Sequence, residues 1–232
     1  MASFGHDPRV WADFPALVPV VLRLRGVTAE PDPSARVAAY VDRARALLDG
    51  RAESDLPQIQ AWRRVYAQMG LKPTQYRCAA EALLRRLRRD GDLPSLHPLV
   101  DLCNALSVAY AVPVAAFDLA DVTGSLTVRP ASGEERYVTF GGDVENPAPG
   151  EIVFADEAGA AHARRWANRQ SGASAVRAET TDVLVVAEAH HPGAAEDMAA
   201  LAGELGRDLA ERWGIDAAGM VLSATAPTVE IR

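Results

Sequence analysis

The chain is predicted to fold as an α+β domain, with helices in the N-terminal half followed by a mainly antiparallel or mixed sheet and a C-terminal helix. Three observations predict this. Apolar side chains recur every three to four positions between residues 34 and 110. From 114 to 187 that spacing gives way to short alternating runs bounded by Gly, Pro and Asp, and over 194–213 the helical spacing returns. Helices grouped before strands, instead of alternating with them, argue against a βαβ arrangement.

The first element is a strand over 17–26 (LVPVVLRLRG), whose apolar and basic residues alternate toward its end. A helix follows the Pro31–Ser34 signal, with Val37, Tyr40, Val41, Ala44, Leu47 and Leu48 on one stripe and Gly50 as its stop. The second helix begins near Pro57 and carries Ile59, Trp62, Val65, Tyr66 and Met69 before Gly70 and Pro73 end it. The third is expected over 75–90, with Ala80, Leu83, Leu84 and Leu87 on its apolar arc and Glu81, Arg85 and Arg89 as an i, i+4 ladder. A fourth helix is expected over 97–110. Strands are then expected at 114–118, 126–129, 137–140, 152–155, 162–166 and 183–187, a last helix at 194–213 closed by Gly214, and a returning strand at 220–224. With no repeat and no low-complexity linker, one domain over 15–226 is expected between a flexible start (1–14) and a short tail (227–232).

Of 232 residues, 49% are hydrophobic and 24% charged, enough for a full hydrophobic core and against disorder. The longest uncharged apolar stretch, 102–117, contains Asn104, Ser107 and Pro113 and is too short to span a bilayer. His6, Asp7, Arg9 and Asp13 interrupt the first apolar runs, so no signal peptide is expected; two cysteines, Cys78 and Cys103, make no disulfide framework, and a reducing cytoplasm is the expected compartment. The formal net charge of −7 argues against a surface coated in cations for non-specific nucleic-acid binding, and no DNA partner is expected.

Phosphate loops, dinucleotide fingerprints and nucleophile elbows are all missing. His190 and His191, adjacent in an extended segment, point to opposite faces and make poor joint metal ligands; neither a metal nor a cofactor is expected. His97, before Pro98, reads as a helix-capping residue, and Cys103 as a buried inert thiol. Polar density concentrates in Arg164-Arg165-Trp166-Ala167-Asn168-Arg169-Gln170, which offers guanidinium and amide donors beside an indole. As a strand it would put Arg164, Trp166 and Asn168 on one face, either as a binding surface or as a solvated edge with Trp166 turned inward. The cations Arg77, Arg85, Arg86, Arg88 and Arg89 are either a solvated helix face or a phosphate-contacting one. Asn104, an amide in an apolar stretch, must find a hydrogen-bond partner or line a polar pocket. Glu188, ending the 183–187 run, either lines a cleft or reaches water.

Leu99-Val100-Asp101-Leu102-Cys103-Asn104, followed by Pro113-Val114-Ala115-Ala116-Phe117-Asp118, resembles the editing module of the bacterial phenylalanyl-tRNA synthetase beta subunit, whose pattern runs approximately V-D-x-T-N and then Q-P-L-H-A-F-D. Further similarities follow in order at 124–129 (GSLTVR), 150–156 (GEIVFAD) and 179–188, so that the resemblance covers roughly residues 70–192. Ala61-Trp62-Arg63, Lys72-Pro73 and the Arg164–Gln170 segment resemble small stand-alone relatives of that module, and the chain is expected to be one, being far shorter than a synthetase subunit. Ala115 stands where the synthetase pattern has histidine and Cys103 where it has threonine, and the glycine pair that closes the synthetase pocket is replaced near Gln170-Ser171-Gly172.

The resemblance implies a module that accommodates the 3′ end of an aminoacyl-tRNA and hydrolyses the ester of a wrongly attached amino acid, tyrosine on a phenylalanine tRNA being the first substrate to try. An aminoacyl ester is reactive enough for placed water and oxyanion donors to suffice. In that scheme Asn104 positions water or the amino group, Asn168 and Arg169 donate to the oxyanion or ribose, and Gln170 is a second positioner. Arg77 and Glu81 order the pocket wall or meet the tRNA backbone and the substrate ammonium, and Arg165, Trp166 and Glu188 contact substrate. Two other functions fit the same residues: a tRNA- or RNA-binding protein without catalysis, and a module binding a small, amino-acid-like molecule.

Overall fold

The computed structural model describes residues 2–231. The chain opens with strand β1 (Ser3–His6) and helix α1 (Pro8–Asp13), where Asp7 caps the helix and Pro8 occupies its first turn. Strand β2 (Val18–Arg25) leads to the amphipathic helices α2 (Ser34–Leu48), α3 (Pro57–Gln68) and α4 (Ala79–Asp90) and to α5 (Pro98–Tyr110), which has no exposed residue; each is started by a proline or an extended cap residue. Then come β3 (Val114–Asp118), β4 (Leu126–Pro130), β5 (Tyr137–Val138), β6 (Val144–Glu145), β7 (Ile152–Asp156), β8 (Ala161–Arg164), β9 (Arg169–Gln170) and β10 (Asp182–Ala189). Helix α6 (Ala194–Trp213), β11 (Met220–Val221) and β12 (Thr228–Glu230) complete an α+β fold.

The strands form a four-stranded antiparallel sheet, β11-β2-β10-β3, a six-stranded mixed sheet, β12-β1-β4-β7-β8-β9, and the small β5-β6 hairpin. Only β1 and β4 pair in parallel among the described strands. Strand β10 explains the layering. Val183, Val185 and Ala187 pack with Leu102, Leu106, Leu201 and Leu205 of α5 and α6, whereas Leu184 and Val186 face Phe154, Trp62 and Leu84. A strand buried on both faces loses the polar alternation of a surface strand and reads as one apolar run.

Within the segments expected as a flexible start (1–14) and a tail (227–232), the described residues carry β1, α1 and β12. Phe4, Val10 and Ile231 are fully buried, and β1 is sandwiched between β4 and β12. Pairing partners more than a hundred residues away order a segment in which His6, Asp7, Arg9 and Asp13 interrupt the apolar runs. The 162–166 strand is also shorter than expected, since β8 stops at Arg164 and both Arg165 and Trp166 adopt left-handed backbone, at φ 46° and 55°. No described helix is long and apolar enough to cross a membrane.

Candidate functional site

A cleft of about 580 Å³ opens where α5, β3, the β5-β6 turn and the segment after β9 meet. Val100, Cys103 and Asn104 occupy one face of α5 by their three-to-four spacing, and Val114 and Ala116 share one face of β3 by alternation. These give a largely apolar floor. Asn104 stands in it half-buried, and its amide has no hydrogen-bond partner among the described residues. Gln170 lines the opposite wall. Its Nε2 donates to the Ala116 carbonyl at 2.7 Å, which fixes the side chain and leaves Oε1 as an acceptor, and its main-chain carbonyl accepts from Tyr137 Oη at 2.8 Å.

Leu96, Phe140 and Arg177 complete the rim. Arg177 reaches the Gly172 carbonyl at 2.7 Å and Asp121 at 3.3 Å. Burial pushes the Cys103 thiol up to about 12, so at neutral pH the floor holds a protonated thiol and no thiolate nucleophile.

A second, much smaller space of about 60 Å³ adjoins the first and shares Gln170 and Val114 with it. Ala115, Asn168, Arg169, Trp166 and Glu188 line it. Asn104 and Asn168 thus face different compartments, which meet at Gln170 and Val114. Glu188 is 3% exposed and accepts from both Trp166 Nε1, at 3.0 Å to each oxygen, and His6 Nε2, at 2.7 Å. Trp62, Trp166 and Phe14 surround the His190 ring, which burial first and then neighbouring His6 and His191 push down to about 3, so that it stays neutral.

The remaining sequence candidates brace these walls. Asn168 Nδ2 donates to the Arg77 carbonyl at 2.7 Å, and Ala79 N to the Ala167 carbonyl at 2.7 Å, which docks the 165–168 turn on the start of α4. Arg165 lies over the Tyr76 ring at 4.6 Å, and exposed Arg169 over Tyr137 at 5.5 Å, with Glu145 at 3.6 Å. Glu81 is buried against Arg63 at 2.5 Å and Arg77 at 3.5 Å and lines neither cavity.

Two sequence readings are corrected. The expected single face of Arg164, Trp166 and Asn168 does not form, because the left-handed pair at 165 and 166 turns the chain before the third residue. The Glu81-Arg85-Arg89 ladder does not form: Arg85 and Arg88 pair with Glu53 from outside the helix, Arg86 and Arg89 pair locally with Asp90, and Glu81 pairs with Arg63 and Arg77. These arginines contribute to neither cavity. Sequence reasoning missed His6, Thr139, Phe140 and Arg177; an aromatic directly before Gly141-Gly142 was the one local sign that a ring sits on a tight turn. No group of three or more His, Cys, Asp or Glu among the described residues is arranged to hold a metal ion.

Residues 61–207 match the family model of the B3/4 domain. The chain is similar to the phenylalanine–tRNA ligase beta subunit of Photorhabdus laumondii, with 32% identity over 50% of this chain and 14% of the relative. It is likewise similar to that of Nocardia farcinica, with 38% identity over 47% and 13%, and to that of Haemophilus influenzae, with 29% identity over 63% and 18%. The chain thus spans less than a fifth of the length of these relatives. A solved N-terminal fragment of the phenylalanyl-tRNA synthetase beta subunit from Pyrococcus horikoshii aligns over 92% of this chain and 49% of its own, with a TM-score of 0.49 and 10% identity. With the family model covering well over half of its length, the chain belongs to the B3/4 domain family and is a module related to a tRNA synthetase beta subunit.

Proposed function

We propose that the chain binds the aminoacylated 3′ end of a tRNA in the larger cleft and hydrolyses the ester of a wrongly attached amino acid. The observation that carries this reading is the Asn104 amide, without a hydrogen-bond partner among the described residues, beside an apolar floor and sharing its cleft with the anchored Gln170. A volume of about 580 Å³ lies within the roughly 300–1,000 Å³ range of small-ligand sites. In this scheme Gln170 Oε1 accepts a hydrogen bond from the attacking water, and Asn104 Nδ2 donates to the carbonyl oxygen as it takes on negative charge. Water oxygen bonds to the acyl carbon, the ester bond to the ribose oxygen breaks, and the amino acid and a free ribose hydroxyl leave. The protonated Cys103 plays no covalent part. On this reading the smaller space behind Gln170 supports the wall, and Arg77, Glu81, Asn168, Arg165 and Trp166 hold it in shape.

The test is release of amino acid from a panel of mischarged tRNAs by the purified protein, without ATP or added metal. The expected result is turnover with at least one charged tRNA, reduced strongly by Asn104→Ala. Hydrolysis at the buffer rate across the panel overturns the reading.

Ala115 favours a second reading. No imidazole stands at that wall to polarise water, and the arginines of α4 are engaged by carboxylates, so a binding module without catalysis uses the same cleft. Saturable binding of an aminoacyl nucleoside with no turnover on any charged tRNA selects it.

A further inference from the structure

We propose that Phe140 is the stacking platform for the nucleobase of the ligand, an inference that rests on the reading of the cleft as an aminoacyl-nucleoside site. Four large hydrophobic side chains among the described residues are more than half exposed: Leu96, Phe140, Val144 and Val221. Phe140, at 75%, and Leu96, at 71%, both line the 580 Å³ cleft, and Val144 pairs across the hairpin with Val138, which lines it too. Three of these four are thus gathered around one opening, Val221 on β11 being the exception, which distinguishes them from scattered single residues.

The turn that carries Phe140 is held from both sides. Thr139 N donates to the Asp143 carbonyl at 2.8 Å, Gly142 N to the Thr139 carbonyl at 3.0 Å, and Asp143 N to Thr139 Oγ1 at 3.1 Å. From the segment after β9, Gly172 N and Ser171 Oγ both donate to the Val138 carbonyl, at 2.9 and 2.8 Å. The absence of a side chain at Gly172 lets the two backbones close up, since a Cβ there would stand 2.9 Å from the Thr139 carbonyl oxygen and 3.1 Å from Phe140 Cα. The ring is therefore presented on a pinned backbone beside the cleft and not on a free loop.

The polar groups of the cleft and its open edge divide the ligand. Asn104 and Gln170 supply amides for the acyl and ester end, so the exposed ring at the rim is left for the flat, apolar face of the nucleoside. A phenyl ring carries no donor or acceptor and cannot read base edges. It binds any base by its face, which suits an end shared by many tRNAs and needs no excess of positive charge.

The experiment uses the full chain and puromycin, an aminoacyl nucleoside whose amide is not an ester substrate, with O-methyltyrosine amide as its counterpart lacking base and ribose. Binding is followed by calorimetry for the wild type, Phe140→Ala and Phe140→Trp, with melting temperatures as a check that the exposed substitution leaves the fold intact. Phe140→Ala is expected to weaken puromycin binding about 5- to 100-fold, as loss of one base–aromatic stack does, and to leave O-methyltyrosine amide binding unchanged. Phe140→Trp is expected to retain affinity, with its indole fluorescence quenched on binding. Wild-type binding that Phe140→Ala leaves unchanged, or weakens equally for both probes, overturns the stacking role while the reading of the cleft stands. A wild type that binds neither probe and hydrolyses no charged tRNA overturns both.

Discussion

The indole Nε1–H of Trp166 lies 3.0 Å from each carboxylate oxygen of Glu188, and both side chains are almost wholly withdrawn from solvent. A carboxylate in that position needs donors, because a buried charge without them costs several kcal/mol. The left-handed backbone at Arg165 and Trp166 is what turns the indole inward; conformations of this kind cost about 1–3 kcal/mol each and persist where the surroundings over-determine them. Here those surroundings are Trp62, Phe14 and His190 against the indole and His6 on the second side of the carboxylate. Trp166→Phe keeps a ring in the cluster and removes the donor. It is expected to lower the unfolding free energy by about 1.5–3 kcal/mol, seen as a lower urea midpoint with unchanged slope. An unchanged midpoint would show that His6 alone satisfies Glu188.

At Asn104 the expected balance is the reverse. Its amide has no hydrogen-bond partner among the described residues, so on the proposed reading Asn104→Ala should leave the melting temperature nearly unchanged while lowering kcat for ester hydrolysis about 100-fold, as loss of one oxyanion donor does. Cys103→Ala should keep kcat within about threefold of the wild type, since a residue outside the chemistry does not enter the transition-state difference. Equal losses in the two variants would point to damage of the cleft floor.

These two sites also mark what the sequence discloses. Strand 114–118 and helix 194–213 are read with the bounds the structure shows, because Pro113 and Gly214 punctuate runs whose periodicity is unambiguous. Asn104 and Gln170 stand out as polar groups in apolar or structured surroundings, a property visible in one dimension. His6 does not. Its burial depends on β1 lying between β4 and β12, and nothing in a short N-terminal segment announces those distant partners. Phe140 is hidden for a related reason: residues 137–140 read as a strand, whereas pairing with 144–145 ends it at Val138 and turns the aromatic out at the rim. The arginines of α4 follow helical spacing, yet Glu53, from outside the helix, decides how Arg85 and Arg88 are paired.

Gly172 tests how firmly the Phe140 turn is placed. A methyl group at 172 meets backbone atoms, which do not swing aside as a flexible side chain does, so Gly172→Ala must part the hairpin from the segment after β9. Overpacking of this kind costs about 1–3 kcal/mol. Gly141→Ala is the control, because its Cβ meets only Thr139 Oγ1 at 3.6 Å and Asp143 Oδ2 at 3.8 Å, ordinary contact distances. Thermal denaturation should show a clear loss for the first variant and little change for the second; equal melting temperatures would mean that the hairpin yields freely.

Acid sensitivity should come in two windows. Burial, with His6 and His191 as neighbours, holds His190 down to about 3, whereas an unfolded histidine takes up its proton near about 6.5. Between those values the unfolded chain binds the extra proton, so stability falls as pH drops, by up to about 1.4 kcal/mol per pH unit for one full proton. His162, lowered by burial and bonded to Ser174 Oγ at 2.8 Å, adds to the same slope. Glu135 acts lower. Burial opposes its ionisation, but the Ser132 and Gly133 amides and the Arg129 guanidinium outweigh it and hold the carboxyl at about 2, against about 4.3 when unfolded. Its stabilisation is complete above the unfolded value and is lost as pH falls toward 2. Melting temperatures measured from pH 7 to 5 should fall less steeply for His190→Phe than for the wild type, and those from pH 4.5 to 2.5 less steeply for Glu135→Gln. Parallel curves for variant and wild type in either window would remove that residue from the account.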